Sequence, residues 1–371
     1  MDLDLTPEQE LLREAVRGVC ARYADLSVVR RMEDDPVGYP PEFWAQLGEL
    51  GLLGMWVPEQ YGGSGMSAID GAVAYMELGR ALAPSPHFVS CAASAGALVR
   101  GGATGLLPGI ADGSVVVTPA WLEPTGGYGP AGVTLQAARD GDGWVLDGVK
   151  RHVEFAGAAQ WLLVLARSGE GVTLLLVDPS APGVTLAQQK TVASDSQYHV
   201  ALSGVRVGAD ALVGEPGRGW AIWDQAMHDA IILLAAYAVG GARRALEITT
   251  EYSKVRRQFD KPLAAFQALS HYMADAVTRI DGADTLVWEA AWAKSVGRNI
   301  ERLAPMAKLF ACNTFRDVTA MAQQVFGGVG FTVDYDIQLY FRRAKQLQLS
   351  WWDSRYLEEL IAADVLDRVT A

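Results

Sequence analysis

Cysteine, histidine and long apolar runs are all scarce in this sequence of 371 residues. Its three cysteines, Cys20, Cys91 and Cys312, lie far apart, so neither a disulfide framework nor a cysteine zinc site is expected. The five histidines show no metal-ligand spacing, and we expect no metal. No run of ~18 uncharged apolar residues occurs, which excludes a membrane-spanning helix.

Positive charge is also in short supply. Thirty-one Lys and Arg residues stand against 43 Asp and Glu, which gives a net charge of -12. This balance disfavours binding to a phosphate backbone, so no nucleic-acid partner is expected. The first ten residues are acidic and contain no basic residue, which is unlike a secretory signal. Together with the scattered cysteines, these features predict a cytoplasmic protein.

The pattern along the chain predicts three domains of an α+β multidomain protein. Residues 1–112 are predicted to be helical, beginning with an N-cap, a helix-starting proline and a capping-box glutamine at Thr6–Gln9. Residues 113–215 alternate β-rich runs with glycine turns and lack a long helix, which predicts an antiparallel β-barrel or sandwich. Residues 216–371 are predicted to form an antiparallel four-helix bundle. Its helices are expected at residues 221–254, 266–296, 305–326 and 353–369.

A glycine motif at Gly127–Gly132 matches the G-x-G-x-x-G pattern of dinucleotide-binding folds. That motif works where a strand turns into a helix N-terminus, so that amides and the helix dipole meet a pyrophosphate. Here Pro130 interrupts the motif and a predicted strand follows it. The motif therefore indicates a surface loop.

Two stretches in the last third are more specific. Arg256–Leu263, followed by Phe266-Gln267, places a guanidinium, an amide and an aromatic ring at the end of a long helix. A guanidinium matches phosphate geometry, although a basic residue at a helix C-terminus would explain it alone. Gln324–Phe331 adds an amide and three glycines at a second helix end. Such glycines permit close approach of a ligand, although a C-cap would account for them alone.

Taken together, the two stretches resemble the acyl-CoA dehydrogenase family. That family carries R-x-x-F-G-x-P-[IL] followed by F-Q, and later Q-x-x-G-G-x-G, at the same separation. Glu123-Pro124 resembles the second half of its T-E-P loop, and Asp147–Arg167 resembles its G-x-K stretch leading into a strand. The resemblance spans nearly the whole chain.

The resemblance implies an FAD enzyme that forms a homodimer or tetramer, with the cofactor across a subunit interface. The Arg256 stretch would hold the pyrophosphate, the Gln324 stretch the adenosine, and two loops of the β-rich part the isoalloxazine ring. The reaction implied is α,β-dehydrogenation of an acyl thioester of CoA or a carrier protein, in which a carboxylate removes the α-proton. The residues assigned to the cofactor are Trp121, Leu122, His152, Glu154, Arg256, Gln258, Phe259, Gln324, Gly327 and Gly328.

The catalytic carboxylate is where the sequence departs from this family. The usual Glu position is occupied by Trp351, and the alternative Glu position on the long helix is occupied by Ala230. Asp353 and Asp229 lie close by and are the candidate catalytic residues. A one-residue offset turns a helical side chain by ~100°, so Asp229 does not simply inherit the role. Asp229 as a bonded helix acid and Asp353 as an N-cap are the alternatives.

Other family positions also differ. Leu122 replaces the Thr of T-E-P, Tyr128-Gly129 replace a Ser-Asp pair, Glu154 replaces a Thr or Pro, and Asp260 replaces a Gly. Three functions therefore stay open. The chain is a dehydrogenase with a displaced Asp, or a base-lacking subunit of a hetero-oligomer whose partner supplies the Glu. In the third, the fold serves a flavin oxygenase, a cyclase or a binding protein.

Overall fold

The computed structural model describes residues 4–367, which divide into two compact units. A helical unit is drawn from residues 4–29, 68–83 and 231–367, and a sheet-containing unit from residues 30–67 and 84–230. Among the described residues, no helix has the length and apolar character needed to cross a bilayer. The two boundaries between the three predicted domains, after residues 112 and 215, stay a prediction.

Eleven α-helices and ten strands are assigned within residues 4–367. The helices are α1 (Pro7–Tyr23), α2 (Leu26–Arg31), α3 (Pro41–Glu49), α4 (Ala68–Ala81), α5 (Ala95–Arg100), α6 (Leu107–Asp112), α7 (Gly219–Val255), α8 (Gln267–Ser295), α9 (Leu303–Phe326), α10 (Ile337–Leu349) and α11 (Ser354–Leu366). The strands are β1 (Val117–Ala120), β2 (Gln136–Asp140), β3 (Gly143–Glu154), β4 (Trp161–Ser168), β5 (Gly171–Val177), β6 (Val184–Gln189), β7 (Gln197–Val207), β8 (Leu212–Val213), β9 (Arg257–Gln258) and β10 (Lys261–Pro262).

The capping box predicted at the start of the chain is present. The Gln9 amide N–H donates to the Thr6 hydroxyl over 3.3 Å, and the Thr6 amide N–H donates to the Gln9 side chain over 3.1 Å. These bonds satisfy amides that the first turn of α1 leaves open. Gln9 also donates to Asp70 of α4 over 3.0 Å, so the cap ties α1 to a helix 61 residues away in sequence.

The C-terminal part contains one helix more than predicted. α7, α8, α9 and α11 correspond to the four predicted helices, and α10 was missed. Polar and charged side chains fill much of α10, so its sequence carries a thin apolar stripe. α10 packs against α9 instead of forming a loop. The predicted end of the last helix, at Val369, lies outside the described residues.

The middle region forms an open sheet of eight strands and not a closed barrel. The order is β6-β7-β3-β2-β4-β5-β8, with β1 paired to β4. Most pairs are antiparallel as predicted, but β1 and β2 run parallel to β4. Within residues 4–367 no pairing joins β6 to β8, and β8 has only two residues, too few for a closing ladder. The core of the sheet includes Trp144, Leu146, Leu162, Val164, Leu175 and Val200.

Two glycines bring α4 and α7 together inside the helical unit. A Cβ on Gly79 would lie 2.0 Å from the Tyr237 carbonyl oxygen, and one on Gly240 would lie 1.8 Å from the Met76 carbonyl oxygen. Both distances are far below any van der Waals contact, so only glycine fits at either position. The glycines therefore fix how closely the helices approach.

Candidate active site

A buried ion pair holds the T-E-P-like loop of the sheet unit. The Lys150 ammonium, fully buried on β3, donates to the Glu123 carboxylate over 2.6 Å. Glu123 is 3% exposed and also accepts from the Thr134 hydroxyl and from the amides of Thr134 and Leu135. Burial lowers the pKa of Lys150 to about 8, against the opposing charge of Glu123. Burial also opposes ionisation of Glu123, but Lys150 and the hydrogen bonds outweigh it and hold its pKa below the ordinary value.

The same pair joins the two loops that were assigned to the flavin ring. Lys150 also donates to the Trp121 carbonyl over 3.3 Å, and the Arg151 amide donates to the Leu122 carbonyl over 2.9 Å. The register of β3 against β7 shifts between Lys150 and Val153, which marks a bulge. His152 lies in this bulge with φ 53°. A bulge re-aims side chains, and here it does so at the predicted cofactor loop.

The neighbours of His152 and Glu154 are polar. The His152 amide donates to the Gln189 side chain over 3.0 Å, and its ring Nδ1 lies 3.0 Å from the Gln197 side-chain oxygen. The Glu154 backbone carbonyl accepts from the Thr118 hydroxyl over 2.5 Å. The structure therefore places Trp121 and Leu122 against the end of β3 that carries His152 and Glu154. That these two loops flank a flavin ring stays a prediction.

Asp229 lies on α7 and is buried against Arg100 at the end of α5. Its carboxylate accepts from the Arg100 guanidinium, which also donates to the Gly96 carbonyl over 3.1 Å. The neighbouring Ala230 is fully buried. The Asp229 carboxylate therefore has a structural partner. This contact matches the alternative in which Asp229 is a hydrogen-bonded acid on a helix.

The two stretches of the helical unit that were predicted to bind the cofactor meet at one end of that unit. Tyr252, in the last turn of α7, stacks on Phe326, the last residue of α9, with ring centroids 4.0 Å apart. Arg256 follows one turn after Tyr252, and its amide donates to the Tyr252 carbonyl over 2.9 Å. Gly327 and Gly328 follow Phe326 directly. Residues separated by about 70 positions in the sequence thus form one surface.

This surface fits an anionic, flat cofactor. Among residues 4–367 the Arg256 guanidinium has no ion pair or hydrogen bond, and it is exposed. Nothing lies within 4 Å of where a Cβ on Gly327 or Gly328 would be, so a ligand can approach the backbone there. Phe259 is 86% exposed, a large apolar area for one side chain. Gln258 and Gln324 are exposed beside these groups.

Asp353 is the N-cap of α11, as the sequence suggested for it. Its side chain accepts from the Tyr356 amide over 2.9 Å. The two residues before it, Trp351 and Trp352, are 5% and 0% exposed and have φ of 54° and 71°. The usual position of the family's catalytic Glu is thus a buried indole in left-handed backbone.

Comparison with known proteins gives the family. Models of the N-terminal, middle and C-terminal domains of acyl-CoA dehydrogenases match residues 6–106, 119–205 and 217–364. The benzylmalonyl-CoA dehydrogenase of Aromatoleum aromaticum is 30% identical over 98% of this chain and 100% of its own length. This chain belongs to the acyl-CoA dehydrogenase family.

Solved structures of acyl-CoA dehydrogenases have the same fold. The butyryl-CoA dehydrogenase of Megasphaera elsdenii superposes with a TM-score of 0.90 at 26% identity, covering 99% of this chain and 100% of that one. A chain of the ChsE4-ChsE5 complex from Mycobacterium tuberculosis gives a TM-score of 0.89 at 26% identity, covering 98% and 99%. Family membership makes this chain a flavoprotein oxidoreductase that uses FAD and acts on a CH–CH bond.

Sequence reasoning missed Arg100 and Lys308, and it recognised Lys150 only as the Lys of the G-x-K stretch, without its buried partner. Arg100 pairs with Asp229, Lys150 with Glu123, and Lys308 of α9 donates to backbone carbonyls. In the sequence, such a residue is recognisable as a single Lys or Arg at a position where helix or strand periodicity predicts an apolar residue. This pattern predicts that the side chain is buried, but it does not identify the group that the side chain binds.

Proposed function

We propose that this chain catalyses α,β-dehydrogenation of an acyl thioester of CoA or of a carrier protein. The observation that carries the proposal is that the Arg256 guanidinium has no ion pair within the described residues 4–367, and that the backbone at Gly327 and Gly328 is open to a ligand. Bound FAD supplies the acceptor for the hydride that leaves the β-carbon. The matches to N-terminal, middle and C-terminal family domains support the division at residues 112 and 215.

The chain's own residues would hold the cofactor in three places. Arg256, Gln258 and Phe259 would bind the pyrophosphate, where a guanidinium offers a planar pair of donors. Gln324 and the glycines after it would contact the adenosine. Leu122 and the bulged end of β3 would border the flavin ring. The Glu123–Lys150 pair would act through these loops by keeping their backbones together.

For the α-proton, we propose Asp229 as the base of the isolated chain, with Asp353 as the second candidate. A base must be ionised, dry and within reach of the α-carbon. Asp229 is buried beside Ala230, the alternative family position, which favours it over an acid that caps a helix. The Arg100 guanidinium would orient its carboxylate.

Flavin spectra of four proteins test the function and the base. The wild type should purify yellow or take up FAD, and an acyl thioester added without oxygen should bleach it. Asp229→Asn should retain the flavin, but its bleaching rate should fall by a factor of about 10² or more. Asp353→Asn should retain both the flavin and the bleaching rate. Arg100→Met should slow bleaching with flavin content unchanged. A wild type that binds no FAD would overturn the proposal.

A second candidate is a base-lacking subunit that works in a hetero-oligomer. It is favoured by one observation, that both nearby acids already have structural partners, Asp229 with Arg100 and Asp353 with the α11 amide. The ChsE4-ChsE5 complex shows a related fold solved as a complex of two named proteins. Here bleaching would appear only after co-expression with a homologous acyl-CoA dehydrogenase from the same operon, and Asp229→Asn would leave it unchanged.

A further inference from the structure

The loop between α10 and α11 has two consecutive bulky residues in left-handed backbone. Trp351 has φ 54° and Trp352 has φ 71°, and their side chains are buried. For a bulky L-residue this conformation costs about 1–3 kcal/mol and persists only where the surroundings over-determine it. Phe259 and Asp260 are also consecutive and have φ of 52° and 63°, but they form the two-residue turn of the β9–β10 hairpin, whose strand pairing accounts for that backbone. The tryptophan loop therefore needs an external constraint.

Lys308 of α9 provides one constraint. Its side chain is fully buried, and its ammonium donates to the carbonyls of Ser350 over 3.0 Å, Trp352 over 2.9 Å and Leu347 over 3.4 Å. An ammonium has three donors, so three carbonyls match it in number. Two of these carbonyls belong to the loop, and the third lies in the last turn of α10, where the helix dipole is negative.

Asn313, a little more than one turn further along α9, holds both sides of the same loop. Its side-chain oxygen accepts from the Gln348 amide group over 2.8 Å and from the Ser354 hydroxyl over 3.3 Å. Gln348 lies before the loop and Ser354 after it. The Trp352 ring also lies edge-on to Tyr356, with centroids 5.5 Å apart. Two positions of α9 thus fix where the loop leaves α10 and where it enters α11.

We propose that Lys308 is a positioning residue that holds the Trp351-Trp352 loop in its strained backbone, so that the two indoles limit which acyl groups fit. The part on acyl groups rests on the proposed function, since these tryptophans stand at the family positions of the catalytic Glu and the Gly after it. Without the ammonium, the carbonyls of Ser350 and Trp352 lose a charge-assisted donor in a buried place. The Asn313 contacts still hold the two ends of the loop, but its middle loses the donor that binds it, so we expect the left-handed backbone at Trp351 and Trp352 to relax.

Hydrogen exchange of the unliganded protein tests the positioning role. In Lys308→Met, amides of residues 346–357 should exchange about tenfold or more faster, while peptides of the sheet unit stay unchanged. Lys254→Met is the control, because Lys254 of α7 pairs with the exposed Glu251 over 2.8 Å and contacts no residue of the loop among residues 4–367, so its exchange should equal the wild type. If Lys308→Met does not fold, Lys308→Gln, which keeps two donors, is measured in its place. Unchanged exchange in the folded variant would overturn the proposal.

Bleaching by a series of acyl thioesters tests the role in selectivity. The folded variant should keep its flavin content. The ratio of the highest to the lowest KM over acyl chains of different length and branching should be about tenfold smaller than in the wild type. If the loop of the variant exchanges faster but the KM values over the series stay those of the wild type, the selectivity claim is overturned. A wild type that binds FAD but bleaches with no thioester would instead remove the proposed function, and the exchange result would still decide on Lys308.

Discussion

At the scale of single residues, buried charge in both units is used to fix backbone. Lys150 binds the Trp121 carbonyl as well as the Glu123 carboxylate, and Lys308 binds three carbonyls. A buried ion pair adds little net stability over an apolar pair, but breaking one side leaves a costly lone charge. Such groups are therefore better explained as positioning devices than as sources of stability.

Removing Lys150 should be far more costly than removing an exposed lysine. Lys150→Met leaves the Glu123 carboxylate buried without its cation, so the free energy of unfolding in urea should fall by about 3–5 kcal/mol. Lys254→Met is the control, since its pair with Glu251 is 57% and 71% exposed and should change stability by less than about 1 kcal/mol. The double variant Glu123→Gln with Lys150→Met should recover part of the loss. Equal losses in the two lysine variants would contradict the argument.

His87 should make the protein sensitive to acid. The ring is fully buried against the Leu52 carbonyl at 2.9 Å, and burial lowers its pKa from 6.5 to about 4. The unfolded chain binds a proton below pH 6.5 while the folded chain does not. The stability due to neutral His87 is therefore complete above pH 6.5 and is lost as pH falls towards 4, by about 3 kcal/mol. Urea midpoints between pH 4 and 7 measure it.

Two variants serve as comparisons: one replaces the buried His87 itself, and the other replaces an exposed histidine. His87→Phe should unfold more easily at pH 7 but lose this part of the pH slope. His271→Gln, at an exposed position, should keep the wild-type slope. The interpretation fails if the His87→Phe slope between pH 4 and 6.5 matches that of the wild type.

At the scale of elements, the α4–α7 contact depends on two glycines. Gly240→Ala would place a methyl group 1.8 Å from the Met76 carbonyl oxygen, so one helix must move. We expect a loss of about 3 kcal/mol or more in unfolding free energy. Gly18→Ala in α1, with nothing within 4 Å, should instead gain up to about 1 kcal/mol from helix propensity. Thermal unfolding of the two variants should therefore shift in opposite directions.

At the scale of the whole molecule, the Arg256 and Gln324 stretches of the helical unit expose apolar side chains to water. Phe259, Phe331 and Val333 are 86%, 66% and 76% exposed. Large apolar side chains that stay exposed are typical of interaction surfaces. A second subunit and FAD over these stretches, as the family resemblance implies, would cover them.

Phe259→Ala should separate assembly from folding. The side chain packs on little of its own chain, so the unfolding free energy of the cofactor-free monomer should change by less than about 0.5 kcal/mol. FAD affinity should fall by about tenfold and the oligomer should dissociate at higher protein concentration, as measured by light scattering and flavin fluorescence. Leu11→Ala, 66% exposed on α1, is the control and should leave FAD affinity unchanged. FAD affinity that is unchanged in Phe259→Ala would count against the assigned role.

The sequence by itself determined the local features: the Thr6–Gln9 cap, four of the C-terminal helices and the alternation that gives strands. It also carried the motifs of the family, because these are short runs whose residue types and spacing are enough to identify them. α10 escaped because its polar side chains hide the apolar stripe that packs on α9.

Only the tertiary structure decided which residues meet. Glu123 binds Lys150, which is 27 positions away in the sequence. Lys308 binds the Trp352 carbonyl at a separation of 44 positions, and Asp229 binds Arg100 at a separation of 129. The predicted closure of the sheet into a barrel was wrong for the same reason, since strand periodicity gives the two faces of a strand and not its neighbours. Periodicity is a local property of the sequence, whereas side-chain pairs and the order of strands in a sheet depend on contacts between distant parts of the folded chain.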